Sequence, residues 1–248
     1  MRTIQKVLVG QSGGPTVAIN SSLAGIINQA HKHDIEVIGM CNGIEGFLED
    51  RTVNLSDIFH PTRNKQSVEL LAQTPSSFLG SCRYKLPNPT QDKSFYQKIT
   101  SRLTSLVIDG ILYIGGNDSM DTVDKISRYF AENLIDIPTI GIPKTIDNDL
   151  EGTDHTPGFG SAARYIATAV QELARDAEVY GKPSITIIET MGRDAGWLGA
   201  ASALAHEKNE QAPDIILLPE VPFYEEKLIG KIMTTRVAGG LLLGYNPK

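Results

Sequence analysis

Short apolar runs alternate along this chain with longer stretches in which apolar residues recur every three or four positions. Apolar runs of about five residues are typical of buried strands, and the wider spacing is typical of amphipathic helices. The runs predict six strands, at residues 6–10, 35–39, 111–114, 138–142, 185–189 and 214–218. Helical spacing predicts three core-facing stripes: Ile19, Leu23, Ile26 and Ile27; Val123, Ile126 and Phe130; Ile166, Val170 and Leu173. Residues 61–100 carry neither pattern, so we expect an irregular polar segment there.

The alternation of strands and helices predicts the fold class. Strands that alternate with helices form a mostly parallel, doubly wound α/β sheet with Rossmann-like layers. In such sheets ligands bind beyond the carboxyl ends of the strands, where loops meet helix N-termini. We therefore expect the functional residues in the loops that follow the predicted strands.

Composition narrows the class of protein. The chain has 248 residues, of which 41% are hydrophobic and 21% charged, as in ordinary soluble domains. A net charge of −6 argues against nucleic acid as the main partner. The apolar runs are too short to span a membrane, and the N-terminus has no signal peptide pattern. Two cysteines fit a reducing compartment, so we expect a cytoplasmic location.

The run Pro143–Asp149 carries the densest chemistry in the chain. Asp147 and Asp149 follow a predicted strand, and carboxylates two apart suit metal or substrate binding and proton removal. Lys144 adds a positive charge where a phosphate could bind. Loop aspartates also commonly close turns, and for an isolated pair this structural role would be the better interpretation.

Paired glycines follow two of the predicted strands. Gly13-Gly14 and Gly115-Gly116 let backbone N–H groups approach an anion closely, at the start of a helix whose dipole favours negative charge. A single pair is weak evidence, because tight turns use glycine anyway. With the loops at residues 144–149 and 191–194, four such polar loops are expected at one sheet edge, and together they favour an anion site.

Taken together, six motifs resemble the successive signatures of the 6-phosphofructokinases over about residues 7–220. They are Gln11-Ser12-Gly13-Gly14, Gly80-Ser81-Cys82-Arg83, Gly115-Gly116-Asn117-Asp118-Ser119, Pro143-Lys144-Thr145-Ile146-Asp147-Asn148-Asp149, Pro157-Gly158-Phe159-Gly160-Ser161 and Met191-Gly192-Arg193. The resemblance implies phosphoryl transfer to the C1 hydroxyl of fructose 6-phosphate with Mg²⁺, in a homodimer or homotetramer. It also implies a phosphofructokinase-like fold, with a donor-binding domain at residues 1–150 and a smaller sugar-phosphate-binding α/β domain at 151–248.

The resemblance assigns a role to each matching position. Asp147 matches the general base, and Thr145 and Asp149 match its neighbours around the transferred group, with Lys144 and Arg193 as further catalytic residues. The sugar phosphate and sugar hydroxyls are matched by Met191, Gly192, Arg193 and Glu220. The donor is matched by Gly13, Gly14, Arg83, Gly116, Asp118 and Ser119.

Two positions point to the phosphoryl donor. The ATP-using branch has glycine where this chain has Asp118, and glycine where it has Lys144; both changes resemble the pyrophosphate-dependent branch. A carboxylate at residue 118 would crowd and repel the α-phosphate of a nucleotide, while Lys144 can neutralise a compact inorganic phosphate. We predict reversible transfer from pyrophosphate, giving fructose 1,6-bisphosphate. The alternatives are an ATP-dependent enzyme of the same family and a non-catalytic or truncated phosphate-binding subunit.

The chain departs from the family pattern in two places. Asn117 stands where many members have an aspartate for Mg²⁺, so we expect Asp118 to share or take over that role. After Glu220 the later arginine and histidine segment of the sugar-phosphate site is not recognisable, and residues 234–237 and 243–245 resemble it too faintly to receive roles. The second domain is therefore expected to be incomplete. We expect Trp197 to lie in the core.

Overall fold

The computed structural model describes residues 3–60, 65–179, 184–206, 212–234 and 240–244. The chain divides into two compact units, Met1–Lys144 and Thr145–Lys248. The division therefore falls inside the Pro143–Asp149 run, and the domain roles predicted for residues 1–150 and 151–248 stay predictions. The faint motif residues 235–237 and 245 lie outside the described residues.

The first unit is built on a five-stranded sheet of order β3-β2-β1-β4-β5. Its strands are β1 (Lys6–Gln11), β2 (Glu36–Met40), β3 (Thr52–Asn54), β4 (Gly110–Gly115) and β5 (Thr139–Pro143). Its helices are α1 (Val17–Lys32), α2 (Gly43–Leu48), α3 (Leu55–Ile58), α4 (Lys65–Gln73), α5 (Lys93–Ser105) and α6 (Asn117–Glu132). Strands β2, β1, β4 and β5 pair in parallel, and only β3 pairs antiparallel, with β2.

Successive side chains of β1 enter hydrophobic cores on opposite faces of this sheet. Val7 and Val9 pack into the core that contains Ile19 and Leu23 of α1. Leu8 packs into the other core, which contains residues of α5 and α6. Alternate side chains of a strand point to opposite faces, so helices cover both sides of the sheet. The predicted doubly wound, mostly parallel α/β fold is confirmed.

The segment at residues 61–100, predicted to be irregular, is irregular only in part: residues 74–92 carry no helix or strand, but one helix and the start of another lie within it. It includes α4, which buries Val68 and Leu71, and the start of α5. In α5 the buried residues Tyr96, Ile99 and Leu103 lie at helical spacing on one face. Their stripe is narrow and the other positions are polar, which hid the helical period.

The second unit is smaller and carries a three-stranded parallel sheet of order β6-β8-β7. Its elements are α7 (Phe159–Val179), β6 (Ile185–Glu189), α8 (Trp197–Ala201), β7 (Ile215–Ile216), α9 (Glu225–Thr234) and β8 (Gly240–Gly244). Val170 of α7 and Ala205 form its small core together with Ile166 and Ile188. Across the described ranges of both units, every helix is too short or too polar to cross a membrane.

Candidate active site

Three neighbouring parallel strands of the first unit end at the same edge of its sheet. The last residue of β1, Gln11, is in register with Ile114 of β4, and Gly115 of β4 is in register with Pro143 of β5. Beyond this edge the Ser12 N–H donates to Ile114 O at 2.9 Å and the Lys144 N–H donates to Gly115 O at 2.9 Å. The loops that follow the three strands therefore meet, as expected for the carboxyl ends of neighbouring parallel strands.

Lys144 is buried against the first glycine pair. Its side chain amine Nζ donates a hydrogen bond to Gly14 O at 2.7 Å, and the residue is only 6% exposed. Gly13 has a φ of +83°, a conformation that favours glycine, and a Cβ there would lie 3.5 Å from Lys144 Nζ. The structure thus holds a cation beside a turn whose backbone a small anion can approach closely.

The second glycine pair leads directly into helix α6. Gly116 is the N-cap residue and makes no side-chain cap hydrogen bond, so the first turn of α6 carries no side-chain cap. Ser119 is 2% exposed and packs so closely under Gly115 that a Cβ on this glycine would clash with the Ser119 hydroxyl. Asn117 and Asp118 are exposed at the start of the helix, where its dipole favours an anion.

The loop that carries Arg83 is bonded to the first glycine loop. Cys82 O accepts hydrogen bonds from the Gly13 N–H at 3.4 Å and from the Ser12 hydroxyl at 3.2 Å, and the Ser81 hydroxyl donates to Gly13 O at 2.5 Å. Arg83 follows directly and its side chain is exposed. These bonds bring the backbone of residues 81–83 to Gly13, so two of the predicted donor motifs are joined.

Two buried polar residues support this loop and were not predicted from the sequence. Gln11 Oε1 accepts from the Leu79 N–H at 2.8 Å, and Asn20 Oδ1 accepts from the Phe78 N–H at 2.8 Å. Asn20 Nδ2 also donates to Thr74 O at 2.9 Å, and both side chains are at most 2% exposed. The sequence indicated the role of Asn20 in one way. Asn20 lies next to Ile19 on the apolar face of α1, and a polar side chain on such a face needs buried hydrogen-bond partners.

In the second unit, the side chains of Thr145, Asn148 and Thr156 close the turn around Asp147. The Thr145 hydroxyl accepts from the Asp147 N–H at 3.0 Å, and Asn148 Oδ1 accepts from the Thr156 N–H at 2.9 Å. Thr145 is bonded again through its backbone, since its N–H donates to Pro157 O at 3.2 Å and its carbonyl accepts from the Thr156 hydroxyl at 2.8 Å. Asn148 adopts φ of +58°, a conformation that asparagine tolerates better than most residues.

Asp147 lies beside a cation. Its carboxylate Oδ2 is 4.0 Å from Arg193 Nε, with side-chain exposures of 12% and 60% respectively. Two opposite charges 4 Å apart attract by about 1 kcal/mol in water and by several times more when partly buried. Arg193 has φ of +54° and follows Gly192, where a side chain would clash with Ala195 O. The structure therefore brings together Thr145, Asp147 and Arg193.

The remaining predicted sugar-site residues are placed by other contacts. Glu220 Oε1 accepts from the Gly196 N–H at 2.7 Å and so caps the start of α8. Met191 is 71% exposed, and Asp149 is exposed too. Trp197, expected in the core, is 53% exposed and contacts Phe159 edge-on at 6.4 Å between ring centroids. The core assignment of Trp197 was wrong, because α8 buries Leu198 and Ala201 instead.

Comparison with known proteins agrees with the motifs. A family model described as phosphofructokinase matches residues 6–241. A pyrophosphate–fructose 6-phosphate 1-phosphotransferase from Xanthomonas campestris pv. campestris is 42% identical over 228 residues, which cover 91% of this chain and 53% of that protein. An ATP-dependent 6-phosphofructokinase from Erwinia tasmaniensis is 30% identical over 229 residues, covering 92% of this chain and 64% of that protein.

A solved structure is also similar over nearly the whole chain. The pyrophosphate-dependent phosphofructokinase of Marinobacter aquaeolei matches with a TM-score of 0.83 and 34% identity, covering 98% of this chain and 60% of that one. The chain spans about half the length of the curated relatives it matches, 53% for the Xanthomonas protein.

Proposed function

The chain belongs to the phosphofructokinase family, and we propose that it provides the donor site and catalytic loop of a pyrophosphate-dependent fructose 6-phosphate 1-phosphotransferase. The reaction transfers one phosphoryl group of pyrophosphate to the C1 hydroxyl of fructose 6-phosphate. The products are fructose 1,6-bisphosphate and inorganic phosphate, and the reaction is reversible. We propose a cytoplasmic homodimer or homotetramer as its setting.

The buried Lys144 is the observation that carries the donor assignment. Its ammonium is held at 2.7 Å from Gly14 O, beside a glycine turn that leaves the backbone accessible. An ammonium is a compact point charge, which suits a small inorganic phosphate. In this proposal Lys144 and the backbone of Gly13 and Gly14 bind one phosphate of pyrophosphate, with Gly116 and Arg83 as further donor contacts.

Asp118 supports pyrophosphate over ATP. Its carboxylate is 68% exposed in the first turn of α6, where a nucleotide of the ATP-using branch would place its α-phosphate. The carboxylate would occupy that space and repel the phosphate, which pyrophosphate does not need to enter.

Asp147 is the proposed general base. Its carboxylate takes the proton of the C1 hydroxyl while the alkoxide oxygen attacks the terminal phosphorus of pyrophosphate. The bond from that phosphorus to the bridging oxygen breaks, and inorganic phosphate leaves with the electron pair. Arg193, whose Nε lies 4.0 Å from the Asp147 carboxylate, binds the sugar phosphate with Met191 and Gly192. Thr145 and Asp149 orient the transferred group, and Glu220 accepts from sugar hydroxyls.

Magnesium is proposed on the chemistry of Asp118 and Asn117. Among the described residues, no cluster of three or more histidine, cysteine or acidic side chains could hold a metal ion. Mg²⁺ commonly uses only one or two protein oxygens and completes its shell with substrate phosphates and water, so a carboxylate and an amide at the start of α6 fit it. When bound, Mg²⁺ would neutralise charge on the phosphates.

A steady-state assay tests this function. The purified chain is first shown to have its intact mass and to unfold cooperatively. It is then supplied with fructose 6-phosphate, Mg²⁺ and either pyrophosphate or ATP, and the fructose 1,6-bisphosphate formed is measured. We expect product with pyrophosphate and little with ATP. Product with ATP alone would overturn the donor assignment. Product with neither donor would favour the phosphate-binding subunit without turnover.

A further inference from the structure

Lys85 has no role in the function proposed above, but it lies beside the residue that selects the donor. Its Nζ is 3.8 Å from Asp118 Oδ1. It follows Arg83 by two positions in a segment without regular secondary structure. The pair thus joins the loop of residues 81–86 to the first turn of α6.

The position of Lys85 is fixed by its neighbours on both sides. Before it, Cys82 O is bonded to the Gly13 N–H; after it, Leu86 is 3% exposed and its carbonyl accepts from Lys125 Nζ at 3.1 Å. Between these points the ring of Tyr84 stacks on Phe95, with an interplanar angle of 8°. Arg83 and Lys85 are both exposed, so these two cations lie at the surface.

The ion pair itself contributes little to folding. The side chains of Lys85 and Asp118 are 78% and 68% exposed, and pairs this exposed stabilise proteins only weakly. Its electrostatic effect on a ligand is different. Asp118 places a negative charge at a helix start that is proposed to receive a doubly or triply charged anion, and the carboxylate repels that anion unless cations offset it. The proposed Mg²⁺ is one such cation, and Lys85 is a second that belongs to the chain itself.

We propose that Lys85 is the counter-ion of Asp118 in the donor site. It offsets the carboxylate when pyrophosphate binds, so that Asp118 excludes the nucleotide by its volume and local charge without also excluding pyrophosphate. The inference rests on the proposed function, because it takes the start of α6 as the donor site. Lys85 acts through Asp118 and is therefore a specificity-determining residue rather than a catalytic one.

A double-mutant cycle on binding tests the proposal without requiring turnover. The dissociation constant for pyrophosphate is measured by calorimetry without Mg²⁺, so that loss of the proposed metal ligand Asp118 does not contribute, for the native chain, Lys85→Gln, Asp118→Asn and the double variant. We expect Lys85→Gln to weaken binding about fivefold in the native background, the upper range for an exposed pair, and less than about twofold with Asn at position 118. Lys85→Arg should restore the native value to within about twofold, because it keeps the charge.

The matched control is Lys98→Gln, which removes an exposed lysine of α5 and should leave the dissociation constant unchanged within about twofold. An equal loss for Lys85→Gln in both backgrounds would make Lys85 a direct phosphate ligand and overturn the counter-ion role. No loss in either would also overturn it. A native chain that binds no pyrophosphate would refute the proposed donor, and the inference with it. All variants are first checked for a native circular dichroism spectrum, which substitutions at exposed positions should preserve.

Discussion

Replacing Lys144 with methionine should weaken pyrophosphate binding strongly and change the fold little. Methionine keeps most of the buried aliphatic stem of Lys144, which is 6% exposed, but removes the ammonium that lies 2.7 Å from Gly14 O. A hydrogen bond to a charged group contributes about 1.5–3 kcal/mol. Loss of one such bond to a phosphate oxygen corresponds to a dissociation constant raised about 10- to 100-fold.

The same substitution has two opposing effects on stability. Gly14 O loses the donor from Lys144, but Gly14 is exposed, so water can replace that donor and the net loss is about 0.5–1.5 kcal/mol. Methionine no longer requires a charge to be buried, which offsets part of that cost. We therefore expect the free energy of unfolding to change by less than about 2 kcal/mol, so the variant stays folded for binding measurements.

Calorimetric titration with pyrophosphate and Mg²⁺, together with urea unfolding followed by circular dichroism, measures both quantities. Lys98→Met removes an exposed lysine of α5 and is the control for a general loss of positive charge. Native affinity in Lys144→Met would refute the role of the buried ammonium. Equal losses in both variants would reduce the effect to long-range attraction, which added salt should abolish.

Three further substitutions test separate parts of the site. Asp118→Gly, alone or with Lys144→Gly, should admit ATP measurably and weaken use of pyrophosphate. Competition of ATP with pyrophosphate measures this change, and no gain in ATP binding would refute the proposal that the Asp118 side chain excludes ATP. Asp147→Ser should lower kcat by about 10²-fold or more, as loss of a general base typically does, with an unchanged urea midpoint; a near-native kcat would exclude Asp147 as the base. Gln11→Leu should lower the free energy of unfolding by about 1–3 kcal/mol, because the Leu79 N–H loses its acceptor; the exposed Gln97→Leu is its control, and equal stabilities would contradict the buried network.

The strands were predictable because the apolar residues that a buried strand needs are adjacent in the sequence. A parallel strand covered on both faces needs a nearly continuous apolar run, and such runs mark β1, β4 and β5 to within about one or two residues at each end. Strand β3 has three half-buried residues at the sheet edge and no such run, so it was missed. Helices α4 and α5 were missed because a narrow buried stripe among polar residues resembles an irregular segment.

The site residues likewise differ in whether the neighbouring sequence reveals them. Motif residues such as Gly13 and Lys144 could be predicted as site residues because the residues that suggest their chemistry are close together in the sequence. The bond from the Leu79 N–H to Gln11 joins residues 68 positions apart, and the pair of Lys85 with Asp118 likewise depends on chain folding. No feature of the neighbouring sequence distinguishes a glutamine or lysine with such a partner from one that faces water. The contacts of these residues therefore follow only from the folded structure.

The Pro143–Asp149 run looks like one functional loop in the sequence, but its two halves are held by different parts of the chain. Lys144 is bonded to Gly115 O and Gly14 O in the first unit, whereas Thr145 is bonded to Pro157 and Thr156 in the second. The proposed donor-site cation and the proposed base thus depend on separate packing, although one peptide bond joins their segments. A substitution that loosens the Gly13 turn should therefore act on pyrophosphate binding before it acts on proton removal. We therefore expect donor choice to change within the family without any change at Asp147 or its turn.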